Sequence, residues 1–327
     1  MAVIVNFWHL KNTNGMYWYA LDYVRGLNNV SCLYARKSTL ARLEADLPEV
    51  VLRRLSAWQY LGVFFKLVFM SRDFVYTPTP HPLPFLKRQM VVLHDPFPFK
   101  TGVGHIKRWL FFASAFFSRC TVGVVNRSVA EGFVNPLRKY CNIVFAPNLI
   151  AAPMALSPKC KANGEPVTIG LLGADSTKKK YESLFDALQA MTSPNLNFIV
   201  YGHATKYWHS VIKTYPKVPV MLLHSDEVTL QYFFEQVDCV VSVSKGEGFS
   251  RLIALAVVSG VPVYLTDDPV YREFYANTTN LFESPLKLLQ SIIDSDAGVS
   301  PSCSEFSSIV NLCNLGWANV CAMLNQN

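Results

Sequence analysis

The sequence predicts an α/β protein built as two doubly wound parallel-sheet domains facing a central cleft. Three observations lead there. Short apolar runs alternate with helix-length segments, the pattern that closes into parallel sheets covered by helices. That alternation occurs twice, on either side of residues 151–166, a stretch rich in Ala, Pro, Lys, Asn and Gly without an apolar period. And 327 residues exceed what one core comfortably holds but suit two domains of ordinary size. The predicted division is residues 1–155 and 165–305, with a last helix at 306–327.

The elements follow in order. Val3–Phe7 has the character of a buried strand, Asn12–Gly15 of a turn, and Tyr17–Leu27 of a helix with capping polar residues ahead of it. A polar, Arg-rich stretch leads to an apolar helix near Ser56–Met70. Asp73–Tyr76 is a short strand stopped by Pro78, Pro80, Pro82 and Pro84, and Met90–Asp95 a strand ending at Pro96 and Pro98, because proline cannot donate to a ladder. A helix around Gly104–Ser118 precedes strands at Thr121–Val125 and Asn142–Phe145. Past the linker, strands at Val167–Leu172, Leu196–Tyr201, Val220–Leu223 and Cys239–Val243 are interleaved with helices at Tyr181–Met191 and Thr229–Gln236. Phe306, Ile309, Val310, Cys313, Trp317, Val320 and Leu324 then recur at helical spacing, marking an amphipathic terminal helix.

Composition bounds the class. Hydrophobic residues make up 51% and aromatics 13%, which excludes a disordered chain. The eight cysteines show no C-x-x-C and no metal-like spacing, so buried free thiols in a reducing compartment are expected. No charged region followed by an apolar one opens the chain, so no signal peptide is expected. The apolar segments 58–70 and 109–117 fall short of the roughly 20 residues that span a bilayer. They read as buried helices, with shallow interfacial contact as the alternative. Charge is divided unevenly: residues 1–160 carry 19 Lys and Arg against 7 Asp and Glu, a balance of +12, and the rest carry 11 against 16, a balance of −5. The first half therefore suits an anionic partner such as a lipid surface or a lipid-linked phosphate. Its basic residues are scattered rather than arranged as a recognised module, so nucleic acid is not expected. Walker A and dinucleotide fingerprints are absent.

The most informative run is Val240–Tyr264. A buried-type strand is followed by Glu247 between Gly246 and Gly248, a short apolar helix, Gly260-Val261-Pro262 and another strand. This puts one carboxylate and the backbone N–H groups of Gly248, Phe249, Ser250, Arg251 and Leu252 at the carboxyl edge of a parallel sheet. Open α/β sheets bind ligands at that edge, and phosphates settle on helix N-termini there. Glu247 could instead cap the helix.

The run resembles the donor-site signature of the retaining glycosyltransferases of family 4, two-domain enzymes of the GT-B fold. Ser244–Ser250 fits the family's S-x-x-E-G-F-G, and Gly260–Val263 its G-x-P-V. Gly173, Lys179, Leu184, Asp186 and Ala187 look like the family's G-R-x4-K-G-x3-L-L-E-A. The resemblance implies that Lys179, with Lys178 or Lys180 as substitutes, contacts the donor diphosphate and that Glu247 binds donor-sugar hydroxyls. A lysine beside a glycine turn can neutralise charge on a departing diphosphate; a solvated lysine run is the plainer alternative. In the first half, His94-Asp95 resembles the family's H-D at the acceptor side, where the His lies near the reacting carbon. Asn14-Gly15 resembles the first glycine loop, and the terminal helix is implied to cross back onto the first domain. Segments 224–238, 126–128 and 147–148 match weaker landmarks. Three positions depart from the family pattern. Leu255 stands where a second Glu engages the ribose, Ala174 where an Arg is frequent, and Ser250 where Gly is usual; Arg251 could restore the charge missing at Ala174.

The expected function is transfer of a sugar, with retention, from a nucleotide sugar to a glycan or lipid-linked glycan of surface polysaccharide or lipopolysaccharide. The expected site is the cytoplasm, with peripheral contact to an anionic membrane through the basic half. No cofactor or metal is expected, since no Asp-x-Asp is present. The departures keep open a non-catalytic glycan- or nucleotide-binding module on the same scaffold, and a nucleotide-sugar epimerase of that fold.

Overall fold

The computed structural model describes residues 2–12, 15–99, 102–157, 164–192, 195–276, 280–294 and 303–326. It divides into two compact units, residues 1–149 with 311–327, and residues 150–310.

The first unit holds a seven-stranded sheet. Its chain order is β1 (Val3–Asn6), α1 (Gly15–Arg25), β2 (Val30–Ala35), α2 (Lys37–Asp46), β3 (Leu52–Arg54), α3 (Ala57–Phe69), β4 (Phe74–Thr77) and β5 (Gln89–Leu93). Then come α4 (Gly104–Ser118), β6 (Thr121–Val124), the short α5 (Gly132–Val134) and β7 (Asn142–Phe145). The spatial order is β3-β2-β1-β4-β5-β6-β7, every pair parallel. Three of these elements, β2, α2 and β3, lie in the stretch read from sequence only as polar and Arg-rich. Its charges sit on an exposed helix face, while Thr39 and Leu43 are the buried residues of α2, and Cys32–Ala35 are buried in the sheet.

Strand alternation divides the core by face. Val3 and Val5 of β1, with Met90 and Val92 of β5, pack under α1 and the end of the chain. Ile4 and Val75 pack under α3, and Val91 and Leu93 under α4, so α3 and α4 cover the same opposite face. Both helices were expected to be buried, and the structure corrects this. Along α3, Leu67 is the only fully buried residue, while Trp58, Leu61, Phe65 and Phe69 form an outward stripe at i, i+3, i+7 and i+11. Along α4, Phe111 and Ala115 face the sheet, while Ile106, Trp109, Leu110 and Phe117 form an outward stripe at i, i+3, i+4 and i+11. Trp58 is 83% and Trp109 69% exposed. A helix lying on a sheet can bury one stripe there, and these two are apolar on both.

The second unit runs β8 (Val167–Leu172), α6 (Tyr181–Gln189), β9 (Leu196–Gly202), α7 (Lys206–Thr214), β10 (Val220–His224), α8 (Leu230–Gln236) and β11 (Cys239–Ser242). It continues through α9 (Arg251–Val258), β12 (Val263–Thr266), α10 (Pro269–Tyr275), β13 (Asn280–Phe282) and α11 (Pro285–Asp294). Its parallel order is β10-β9-β8-β11-β12-β13. A long helix, α12 (Cys303–Gln326), ends the chain. Residues 311–327 count with the first unit, where Val320, Cys321 and Leu324 join the core and the Trp317 indole donates to the Asp22 carbonyl at 3.2 Å. Gly26 is needed there: a Cβ on it would lie 2.6 Å from the Trp317 ring. Among the described residues no helix is long and apolar enough to cross a membrane. The six cysteines at 32, 120, 141, 239, 313 and 321 are all buried, and none of them is in a disulfide.

Candidate functional site

The second sheet reverses direction between β8 and β11. From β8 the chain builds outward through β9 and β10, then returns to lay β11 on the other side of β8. The loops leaving their carboxyl ends, 173–180 and 243–250, therefore meet where an open sheet leaves a ligand crevice.

Gly173 begins the first loop at φ +80°, its N–H donating to the Tyr201 carbonyl at 2.8 Å. A Cβ here would stand 3.0 Å from Cε of the flexible Lys179 side chain, so the positive φ is what calls for glycine. Thr177–Lys179 then form a single tight turn, which ends at Lys180 in the left-handed region. The geometry separates the three lysines. Lys179 Nζ reaches Glu247 Oε1 at 3.1 Å, with both side chains 17% exposed. Lys178 is half-buried and accepts the Lys245 N–H on its carbonyl at 3.0 Å, stitching the two loops together. The side chain of Lys180 is exposed.

Glu247 does not cap α9. The cap position is Ser250, at φ +64° and without a side-chain cap bond. Burial works against the charged carboxylate, but the charge and hydrogen bond of Lys179, the charge of Lys178 and the Ser244 hydroxyl together outweigh it and hold Glu247 below its ordinary range. Phe249 is core, its ring packed edge-on against Phe274 at 4.8 Å, and only its backbone belongs to the loop. Gly248, Arg251 and Leu252 are half-buried around the start of α9. Leu255 is also half-buried on α9, so no carboxylate stands there.

The support beneath the loops was not singled out from sequence. The Tyr181 hydroxyl donates to the Gly173 carbonyl, and Ser242 Oγ lies 2.8 Å from the Tyr271 hydroxyl and 3.1 Å from Ser244 Oγ. Asp268 accepts from the N–H groups of Val270 at 3.0 Å and Gly246 at 3.3 Å, tying the glutamate turn to the start of α10. Asp268-Pro269 is a helix-start signature, so this residue was legible as a cap. Its reach across to Gly246 was not.

In the first unit, His94 follows β5. Its Nε2 donates to the Pro78 carbonyl at 2.9 Å, and its ring meets Tyr19 edge-on at 4.5 Å. Asp95 accepts the Phe97 N–H at 2.8 Å and so shapes its own turn. Gly15 opens α1 with open space around it, and Asn14 lies outside the described residues. A cavity of about 600 Å³ lies at the amino edge of the second sheet, lined by Glu165, Thr168, Asn197 and Asp238 among others. That is the edge opposite the Lys179–Glu247 pair, and its two carboxylates disfavour a phosphate. Among the described residues no three His, Cys, Asp or Glu are gathered as a metal site.

No protein-family model matches the chain, and no curated protein matches it in sequence. Solved structures do. HepE of Anabaena, determined with UDP and glucose, is similar at 15% identity and TM-score 0.67, over 100% of this chain and 97% of that one. A glycosyltransferase of Rickettsia africae is similar at 12% identity and TM-score 0.75, over 99% and 98%. The lipopolysaccharide outer core galactosyltransferase WaaB is similar at 12% identity and TM-score 0.67, over 99% of each chain. With the two parallel sheets, these likenesses show the GT-B fold.

Proposed function

We propose that this chain is a retaining glycosyltransferase that moves a sugar from a nucleotide sugar to a glycan or lipid-linked glycan acceptor of surface polysaccharide or lipopolysaccharide. The observation that carries the reading is the Lys179–Glu247 pair at the switch point of the second sheet, in a fold whose solved neighbours include a UDP complex. Lys179 neutralises the diphosphate as it leaves, helped by Lys178 and the N-terminus of α9. Glu247, ionised and anchored, accepts hydrogen bonds from the donor sugar's hydroxyls. His94, its ring oriented by the Pro78 carbonyl, is the acceptor-side residue of this reading. The acceptor hydroxyl attacks the face from which the diphosphate departs, and a phosphate oxygen takes its proton. The new glycosidic bond forms as the bond to phosphate breaks, and no metal or cofactor is needed for that balance. The protein contributes position and charge.

We place the enzyme at the cytoplasmic face of an anionic membrane, met through the outer stripes of α3 and α4. The stretch 57–119 that contains them carries eight Lys and Arg against two Asp.

The test is thermal stabilisation by UDP, GDP, ADP, CMP and TDP on wild type and Lys179→Ala, followed by a transfer assay with the matching sugar donor. One nucleotide should stabilise the wild type selectively and lose its effect in the variant. Binding without any transfer would favour a non-catalytic module, a reading that Leu255 already motivates. No stabilisation by any nucleotide would overturn the donor assignment.

A further inference from the structure

The first unit carries a second cavity that the sugar-transfer chemistry does not use. It measures about 560 Å³, within the roughly 300–1,000 Å³ range of small-molecule sites, and is lined by Trp8, Arg36, Lys37, Arg54, Ser56 and Gln59 among others. It sits at the carboxyl edge of its sheet, because Arg36 follows β2, Arg54 closes β3 and Trp8 lies just beyond β1. Three cations and no carboxylate line it. Among the described residues none of the three has an acidic partner.

One wall is stiff. Trp8 is stacked between Tyr60, at 4.1 Å and nearly parallel, and the Arg36 guanidinium, 3.8 Å from its ring centre. Arg36 Nε donates to the Trp8 carbonyl at 2.8 Å, and the Trp8 indole donates to the Leu55 carbonyl at 3.2 Å. Those bonds leave the two outer guanidinium nitrogens of Arg36, a fork suited to phosphate oxygens. Ser56 and Gln59 satisfy the start of α3 with a capping box, so the opposite wall is also ordered. The neighbouring His9 imidazole is lowered to about 3, chiefly by its burial and then by His81, Arg36 and Lys11.

The cavity also adjoins the apolar stripe. Ala57 and Gln59 line it, and Trp58 between them is the first, highly exposed member of the α3 stripe.

We propose that this cavity holds the phosphate-bearing headgroup of a lipid-linked acceptor, with Arg36, Lys37 and Arg54 binding the phosphate while the lipid chain stays along the outer stripe of α3. The proposal rests on the sugar-transfer reading for the word acceptor, but its binding chemistry stands apart from it.

The experiment titrates the full chain with inorganic pyrophosphate and with farnesyl diphosphate, a soluble prenyl diphosphate, following tryptophan fluorescence. The chains compared are wild type, Lys37→Gln/Arg54→Gln and the charge-keeping Lys37→Arg/Arg54→Lys. Both exchanged side chains are exposed, so melting temperatures should agree. Farnesyl diphosphate should bind wild type at least tenfold more tightly than pyrophosphate. The Gln variant should lose at least tenfold for both probes, and the charge-keeping variant should recover most of it. Equal affinity for the two probes would overturn the lipid-linked assignment. Undiminished binding by the Gln variant, or no binding by wild type, would overturn the site. UDP stabilisation, measured on the same samples, reports the second unit separately. Its absence from wild type would sink the donor reading and leave the pocket result standing.

Discussion

At the residue scale, the site is decided by a few groups whose surroundings set their state. Glu247 is held below its ordinary pKa of 4.5, against the opposing effect of its own burial, chiefly because Lys179 faces it. With the folded value below the unfolded one, the pair's stabilisation is full above the unfolded carboxylate range and drains away as pH falls through the lower folded value. Glu247→Gln should therefore cost roughly 2 kcal/mol at neutral pH. Urea midpoints taken down an acid series should show that difference shrinking below about pH 4; a constant difference would mean that the charge pair is not the cause. Lys179→Ala should lower turnover by about a hundredfold to a thousandfold if it stabilises the leaving diphosphate. The assay is initial rate at saturating donor. Ser250 sits at φ +64°, where a β-carbon costs about 1 kcal/mol or more, and Ser250→Gly should stabilise the chain by a comparable amount in denaturant melts. A lowered midpoint would show that the hydroxyl matters more than the backbone.

At the element scale, α3 and α4 depart from the usual plan of a helix on a sheet. Each has one apolar stripe packed inward and a second one facing out, spaced i, i+3, i+7, i+11 on α3 and i, i+3, i+4, i+11 on α4. The outer stripes are not held by the fold, so exchanging Phe65 and Trp109 for Ser should leave the melting temperature within about a degree, as for other exposed sites. The same change should weaken binding to phosphatidylglycerol vesicles tenfold or more, since withdrawing an aromatic side chain from water is worth about 1.5–3 kcal/mol. Sedimentation with vesicles measures it. Unchanged sedimentation would remove these helices from the membrane reading. The sequence showed both segments to be apolar but not which way they face, because sidedness follows from what the sheet leaves uncovered.

At the scale of the whole molecule, the chain leaves the first unit at residue 149 and returns to it from residue 311. The return completes a core: Val320, Cys321 and Leu324 pack with Tyr19, Tyr23 and Val24, and Trp317 fills the space that Gly26 leaves. Trp317→Ala should accordingly destabilise the first unit by about 3 kcal/mol or somewhat less, as for other large-to-small changes of aromatic residues. Two thermal transitions would then separate, and only the later one should respond to nucleotide. A single transition lowered as a whole would mean that the units melt together.

The fold class, most of the strands and the glycine-flanked turns were legible in the chain alone, because continuous apolar runs, proline stops and turn glycines are written locally. The sequence also pointed to Gly173, Lys179 and Glu247, whose spacing sits on two separate strand-to-helix turns. That these turns are neighbours emerges with the sheet, since adjacency of β8 and β11 depends on a strand order that no local pattern encodes. The same holds for the pairing of Lys179 with Glu247, for Phe249 as a core residue, and for the cations gathered around Trp8. In each case the side chain's role is set by partners distant in the chain, and partners of that kind appear only when the sheet has closed its order.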